Sequence, residues 1–323
     1  MGGVIFNDEE LGFDLPSNGA GDDNRTVLLV GRTGNGKSAT GNSILGRKAF
    51  LSKSSLSGVT FTTQLHQIHF PNSQTLNVID TPGLFDTSLD HETIGSEILK
   101  CFRMASAGVH SILVVFSLRS RFSKEEVSVI HCLKELFGER IYDYMIVVFT
   151  GGDDLEEEEE ESFDDYLVQQ NSESLQEILR YCNNRKVLFD NRTKDKDKLT
   201  QQRKNLLTIV DQVMNSNGGQ PYTNEMFQEL QRADKELKEQ IKALDLVENS
   251  NSDSSQLMMM EKRLKEYEEK MIQKVRSMLI DTNLMLKQQL AEEKLARINA
   301  EEKVALLKSE IDTLKKSRLC AIM

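Results

Sequence analysis

The most constraining stretch of the chain joins an apolar run, Val27 to Val30, to a glycine-rich turn at Gly31 to Ser38, beyond which helix-forming residues follow. The run has the length and side chains of a buried strand, and the turn fits G-x-x-x-x-G-K-[ST] without a gap. Gly31, Gly34 and Gly36 allow backbone angles that aim successive N–H groups at one phosphate. A helix opening near Lys37 adds the positive end of its dipole. In that geometry Lys37 reaches the β- and γ-phosphates of a nucleotide and Ser38 offers its hydroxyl to Mg²⁺, with Arg32, Thr33, Asn35 and Ala39 completing the contact stretch.

Downstream segments carry partners for such a loop. "LNVIDTPGLFD" ends an apolar strand on Asp80 and places Gly83 three residues later; an aspartate there holds Mg²⁺ through water, and the Gly83 N–H can sense a γ-phosphate. Between the two lies "SGVTFTTQ", in which Thr60 is the expected closing ligand for Mg²⁺. Thr62 and Thr63 are rivals, and all three also suit a strand. "YMIVVFTGGDD" ends on Thr150, Gly151, Gly152 and Asp153. A carboxylate at 153 can accept from both N1–H and the 2-amino group of guanine, a pair adenine lacks; the plainer reading is a helix N-cap region. Asn191 in "KVLFDNR" is expected to brace the base from the other side.

The fold expected around these motifs is α/β. Strands at about 25–30, 65–70, 75–80, 110–117, 144–150 and 186–190 alternate with helices near 37–45, 91–105, 123–137, 162–181 and 198–214. That alternation predicts a P-loop NTPase with a mostly parallel sheet covered on both faces and its ligand at the strands' carboxyl ends. Residues 1–24 read as a loose arm, 25–225 as the nucleotide domain, 226–316 as a helical region and 317–323 as a C-terminal tail.

Charge narrows the partners. Of the net charge of −11, −10 sits before residue 221, where 22 Lys/Arg face 32 Asp/Glu, against 18 and 19 from 221 onward. An acidic domain repels polyanions, so no nucleic-acid partner is expected and the phosphate site should serve a small nucleotide. Cys101, Cys132 and Cys182 form no metal-ligand pattern and read as small buried apolar residues of a reducing compartment. No run approaches the ~20 apolar residues that span a bilayer.

The strings "GRTGNGKSATGNSILG", "VIDTPGLFD", "GVHSILVVFSLRSRFSKEE", "VVFTGGDDL" and "VLFDN", in that order, resemble the AIG1/IAN/GIMAP (immune-associated nucleotide-binding) GTPases, specifically the plant branch, over about 25–225. The resemblance implies a Ras-like G domain related to septins and Toc proteins, GTP or GDP with Mg²⁺, and nucleotide-dependent self-association through G domains. Three positions depart from small-GTPase practice. Gly151 stands where the guanine motif usually carries lysine, and Leu84 stands where a glutamine would orient water. Thr33 also replaces a P-loop glycine, so an inserted arginine would meet a side chain. Slow intrinsic hydrolysis is expected, with any activation coming from a partner subunit. Arg119 and Arg121 are candidates for that chemistry in cis or trans; exposed structural arginines are the plainer reading.

The region after 225 repeats apolar residues at three- and four-residue steps, in one stretch through Leu257, Met260, Leu264, Tyr267 and Met271 and in another through Ala300, Val304, Leu307, Ile311 and Leu314. Broken heptads of this kind allow coiled-coil stretches or a helix folded back on the domain. The final four residues, Cys320 to Met323, match C-a-a-X with a terminal Met, the farnesylation form. One isoprenoid chain gives reversible attachment only, and Lys315, Lys316 and Arg318 add a modest attraction to anionic lipid. The expected location is the cytosolic face of an internal membrane, the endoplasmic reticulum, or the plasma membrane.

Three functions fit: a self-assembling, membrane-tethered GTP switch or scaffold with weak hydrolysis, a P-loop ATPase or kinase, and a coiled-coil scaffold whose nucleotide is structural.

Overall fold

The computed structural model of the chain describes residues 24–52, 60–70, 74–84, 90–105, 107–119, 122, 124–153, 163–169 and 172–229, then helical positions between 231 and 304 that are continuous over 265–277. The chain runs β1 (Asn24–Val30), α1 (Lys37–Leu45), β2 (Gln64–His69), β3 (Thr75–Asp80), α2 (His91–Met104), β4 (Ser111–Ser117), α3 (Lys124–Phe137), a 3₁₀ segment (Glu139–Tyr144), β5 (Met145–Thr150), α4 (Phe163–Gln169), α5 (Glu173–Tyr181), β6 (Lys186–Phe189) and α6 (Lys196–Ser216). The strands form one sheet in the order β2-β3-β1-β4-β5-β6. Only the β2–β3 pairing is antiparallel. This is the mostly parallel P-loop α/β architecture that the motif order predicts.

Side chains explain the strand positions. β5 is buried at all six residues and β4 at six of seven, as unbroken apolar runs require when helices cover both faces. β2, with Gln64, His66, Gln67 and His69, takes an edge where its polar side chains stay partly wet. Strand order reverses at β1, whose neighbours are β3 and β4, so the carboxyl ends of these strands open a crevice at Gly31, Asp80 and Ser117.

Caps set the helix starts. The Asp90 carboxylate accepts from the Glu92 and Thr93 N–H groups at 3.0 and 2.8 Å, and Asp195 opens α6 in the same way. The single helix expected over 162–181 is two helices, because Ser172 Oγ accepts from the Leu175 N–H at 3.3 Å and starts α5 afresh. Cys101, Cys132 and Cys182 are buried and free, and burial pushes each thiol up to about 12, so they are inert packing residues as expected.

Residues 1–278 form one compact unit and 279–323 a second. Within the first, Met226, Phe227, Met271 and Val275 are buried. Phe227 meets Phe102 of α2 edge-on with centroids 5.2 Å apart, Glu268 pairs with Arg103 of α2, and a Cβ on Gly95 would lie 3.3 Å from Ile272. Over 265–277 the tail therefore takes the folded-back course of the two left open by its periodicity. In the second unit the described positions are helical, with Leu284, Leu295, Ile298 and Val304 exposed. No helix among the described residues is long and apolar enough to cross a membrane. The N-terminal arm up to residue 23, Arg121, and the 317–323 tail with Cys320 lie outside the described residues.

Candidate nucleotide-binding site

The phosphate loop leaves β1 at Gly31, whose φ of +144° suits glycine. A Cβ there would sit 2.5 Å from the Val115 carbonyl of β4, so the loop hugs the neighbouring strand. α1 then starts on Gly36, which has no side chain to cap the first-turn amides, leaving them to an external acceptor. Lys37 is buried and folds over the loop, its ammonium donating to the Arg32 carbonyl at 3.0 Å.

Asn35, expected to touch nucleotide, has a different task for its side chain. The amide donates to the Val115 carbonyl at 2.9 Å and to Glu126 of α3 at 3.4 Å, pinning the loop from below. Thr150, at the end of β5, donates to the Asn35 carbonyl at 2.8 Å and braces the same turn. Glu126 lay hidden in the sequence, since a glutamate on a helix carries no signal that it will be buried under a loop.

The three expected metal ligands converge from three segments. Ser38 Oγ donates to Asp80 Oδ2 at 2.6 Å and lies 2.9 Å from Thr60 Oγ1. The rivals of Thr60 are engaged elsewhere: Thr62 Oγ1 donates to the Glu97 carboxylate of α2 at 3.2 Å, and the Thr63 N–H donates to Glu97 at 2.6 Å. Asp80 is 1% exposed, and burial raises its pKa to about 6 against the opposing pull of Ser38 and Lys37. Its second oxygen, Oδ1, is buried without a hydrogen-bond partner. A buried carboxylate oxygen without a donor, beside two hydroxyls and facing a phosphate loop, is the donor set of a hard divalent cation. These residues fit Mg²⁺.

Gly83 brings the β3 turn onto the loop, since a Cβ there would fall 2.2 Å from Thr33 Oγ1 and 2.9 Å from the Thr33 nitrogen. The next residue, Leu84, is buried at 3% exposure, so it is a packing group and offers nothing to a water molecule.

At the other end of the crevice Asp153 holds two arginines. Arg119, from the turn after β4, donates to Asp153 Oδ2, and Arg192 Nη1 lies 3.6 Å from the same oxygen. Arg119 thus sits at the candidate base-reading carboxylate. Asn191 turns its amide to α1, accepting from Ser43 Oγ at 2.8 Å and donating to Thr40 Oγ1 at 3.0 Å. Its neighbour Asp190, which sequence reasoning passed over, accepts from the Arg192 and Thr193 N–H groups and from Lys198 at 2.7 Å. Burial works to raise the Asp190 pKa, and these donors outweigh it and hold the carboxyl below its usual range. An Asp before a loop asparagine gave no hint of this threefold task.

Comparisons with known proteins give the family of the chain. The model of the AIG1 family matches residues 25–241, past the expected domain end at 225. The chain is 44% identical over 301 residues to immune-associated nucleotide-binding protein 9 of Arabidopsis thaliana, covering 91% of this chain and 86% of that protein. Immune-associated nucleotide-binding protein 3 of the same plant is 42% identical over 263 residues, covering 80% and 78%. Among solved structures, Toc33 from Arabidopsis thaliana in complex with GDP and Mg²⁺ is 19% identical with a TM-score of 0.45, covering 59% of this chain and 85% of that one. Aquifex aeolicus Era bound to GDP and AlF₄⁻ is 19% identical with a TM-score of 0.42, covering 58% and 56%. Over residues 25–241 the chain belongs to the AIG1 family.

Proposed function

We propose that the domain binds GTP and GDP with Mg²⁺ and acts as a molecular switch that hydrolyses GTP slowly. The observation that carries this reading is the meeting of Ser38, Thr60 and Asp80 with an unpartnered buried oxygen on Asp80. Mg²⁺ held there would neutralise charge on the β- and γ-phosphates. Lys37 and the first-turn amides of α1 would bind the phosphates, and the turn at Gly83, in contact with Thr33, would register the γ-phosphate. Asp153 would accept from the guanine edge. Leu84 leaves the chain without a residue at that position to orient water, which supports slow turnover.

Self-association through G domains and tethering of Cys320 to a cytosolic membrane face by a prenyl group belong to the same proposal. The C-a-a-X match supports the tether, and recovery of the protein from cells with no mass increment on Cys320 would remove it.

Equilibrium titration of the purified chain with GTP, GDP and ATP in the presence of Mg²⁺ tests the core of the reading, alongside Asp153→Asn. Guanine-selective binding that relaxes toward xanthine nucleotides in the variant supports it. Equal affinity for ATP, or no binding, overturns it in favour of a P-loop ATPase or kinase or of a structural role.

A further inference from the structure

Behind the phosphate loop, between α1 and α6, lies a cavity of about 620 Å³ that the nucleotide reading does not use. No residue from Gly31 to Ser38 lines it; α1 separates it from the loop, with Ala39 and Asn191 as the shared wall. Its floor holds Arg203 of α6, which is 6% exposed. That guanidinium carries five donors, and among the described residues its hydrogen bond is one long contact, Nε to the Ser43 carbonyl at 3.4 Å. It presses on Gly46, the end of α1, where a Cβ would fall 2.8 Å from Nη2.

The plain role of Arg203 is to face the last carbonyls of α1, where the helix dipole is negative. That role uses one donor and brings about half a compensating charge, which leaves a buried cation short of its usual full partner. No carboxylate lines the cavity among the described residues, and burial alone lowers the Arg203 pKa. Arg47 and Lys48 stand at the same cavity and add positive charge in a domain that is acidic as a whole. Phe50, Leu51 and Leu199 supply apolar wall. A concave, solvent-open cleft with a part-apolar wall and a few convergent polar groups suits a small ligand, and three cations match a phosphate dianion better than a single carboxylate.

We propose that this cavity binds a small soluble organic phosphate, with its anionic group on Arg203 beside Arg47 and Lys48 and its body against Phe50, Leu51 and Leu199. The site does not depend on which nucleotide the phosphate loop takes, and GDP binding measured alone keeps the two readings separable.

The test is calorimetric titration of the full chain, saturated with GDP and Mg²⁺, with phenyl phosphate. Saturable binding is expected, weakened roughly tenfold or more in Arg203→Gln. Because that change also removes a contact to α1, Leu199→Glu is the second variant: it places a carboxylate one helical turn from Arg203, forms an internal ion pair, and should abolish binding in a folded protein. No binding to the loaded chain, competition between phenyl phosphate and GDP, or unchanged affinity in Leu199→Glu would each overturn the proposal. Binding to vesicles of phosphatidylcholine and phosphatidic acid, with none to phenyl phosphate, would overturn it in favour of a lipid headgroup.

Discussion

Ser38 and Asp80, 42 residues apart, meet at 2.6 Å, the serine hydroxyl donating to one carboxylate oxygen while the other stays buried and unpartnered. The pairing joins the first turn of α1 to the end of β3 and makes Asp80 an anion waiting for a cation. Without metal, its pKa is raised by burial from 3.8 to about 6. A folded-state pKa above the unfolded one favours folding at low pH, and that contribution is lost as pH rises from about 4 through about 6. The metal-free protein should therefore lose on the order of 3 kcal/mol across that window. Asp80→Asn should flatten this part of the profile and remove the stabilisation that Mg²⁺ with GDP gives the wild type. Thermal melts at pH 4.5 and 7, with and without Mg²⁺, would check both, and an unchanged profile in the variant would remove Asp80 as its source.

Arg119 on Asp153 makes a separate claim, because a group that orients the base reader and a group that stabilises a transition state leave different kinetic marks. Arg119→Ala frees one carboxylate oxygen of a partner while Arg192 stays 3.6 Å away, so guanine nucleotide affinity should fall by roughly three- to tenfold without a shift toward xanthine. Hydrolysis by the nucleotide-saturated enzyme should be unchanged. A fall in kcat at unchanged Kd would return Arg119 to the chemistry and remove it from the base site.

How much of this was legible differs by residue. The motifs point to Lys37, Ser38 and Asp80 because phosphate and cation chemistry permits few residue types at few spacings, and the positions of the strands along the chain follow from apolar runs. The sequence favours Thr60 but leaves Thr62 and Thr63 as rivals, since what sets those two apart is the position of Glu97 on α2, a tertiary fact absent from their local pattern. Asn35 and Asn191 sit in the right motifs, yet their side chains are taken up in fastening the site. The packing of Met271 beneath the surface was equally open, because a helical stripe records that a face is buried and not by what.

The buried pair of Arg25 on β1 and Asp211 on α6, 2.7 Å apart, shows how little such a contact reveals in sequence. Burial raises the Asp211 pKa to about 6 even though Arg25 opposes it, so desolvation outweighs the attraction. Removing the carboxylate takes the counter-charge from a buried guanidinium: Asp211→Ala should destabilise the domain by about 3 to 5 kcal/mol. Replacing both, as Arg25→Met with Asp211→Leu, should recover most of that loss in chemical denaturation. A double variant as unstable as the single one would mean that the pair is worth more than its desolvation.

The folded-back helix makes the last prediction. Met271 and Val275 are 3% and 0% exposed and sit one turn apart, while Ile272 rests on Gly95 of α2. Truncating a buried methionine forfeits its transfer energy and leaves a cavity, so Met271→Ala should cost about 2 to 4 kcal/mol of docking energy. Local docking is weaker than the whole fold, so the loss should appear first as faster amide exchange over 265–277 and along α2, before any change in β4 and β5. Gly95→Val supplies the reciprocal test, because its side chain would enter the space Ile272 occupies and should release the same helix with the buried methionine intact. If exchange over 265–277 is already as fast in the wild type as in an unstructured peptide, the helix is not held by α2, and the two variants should then have no effect.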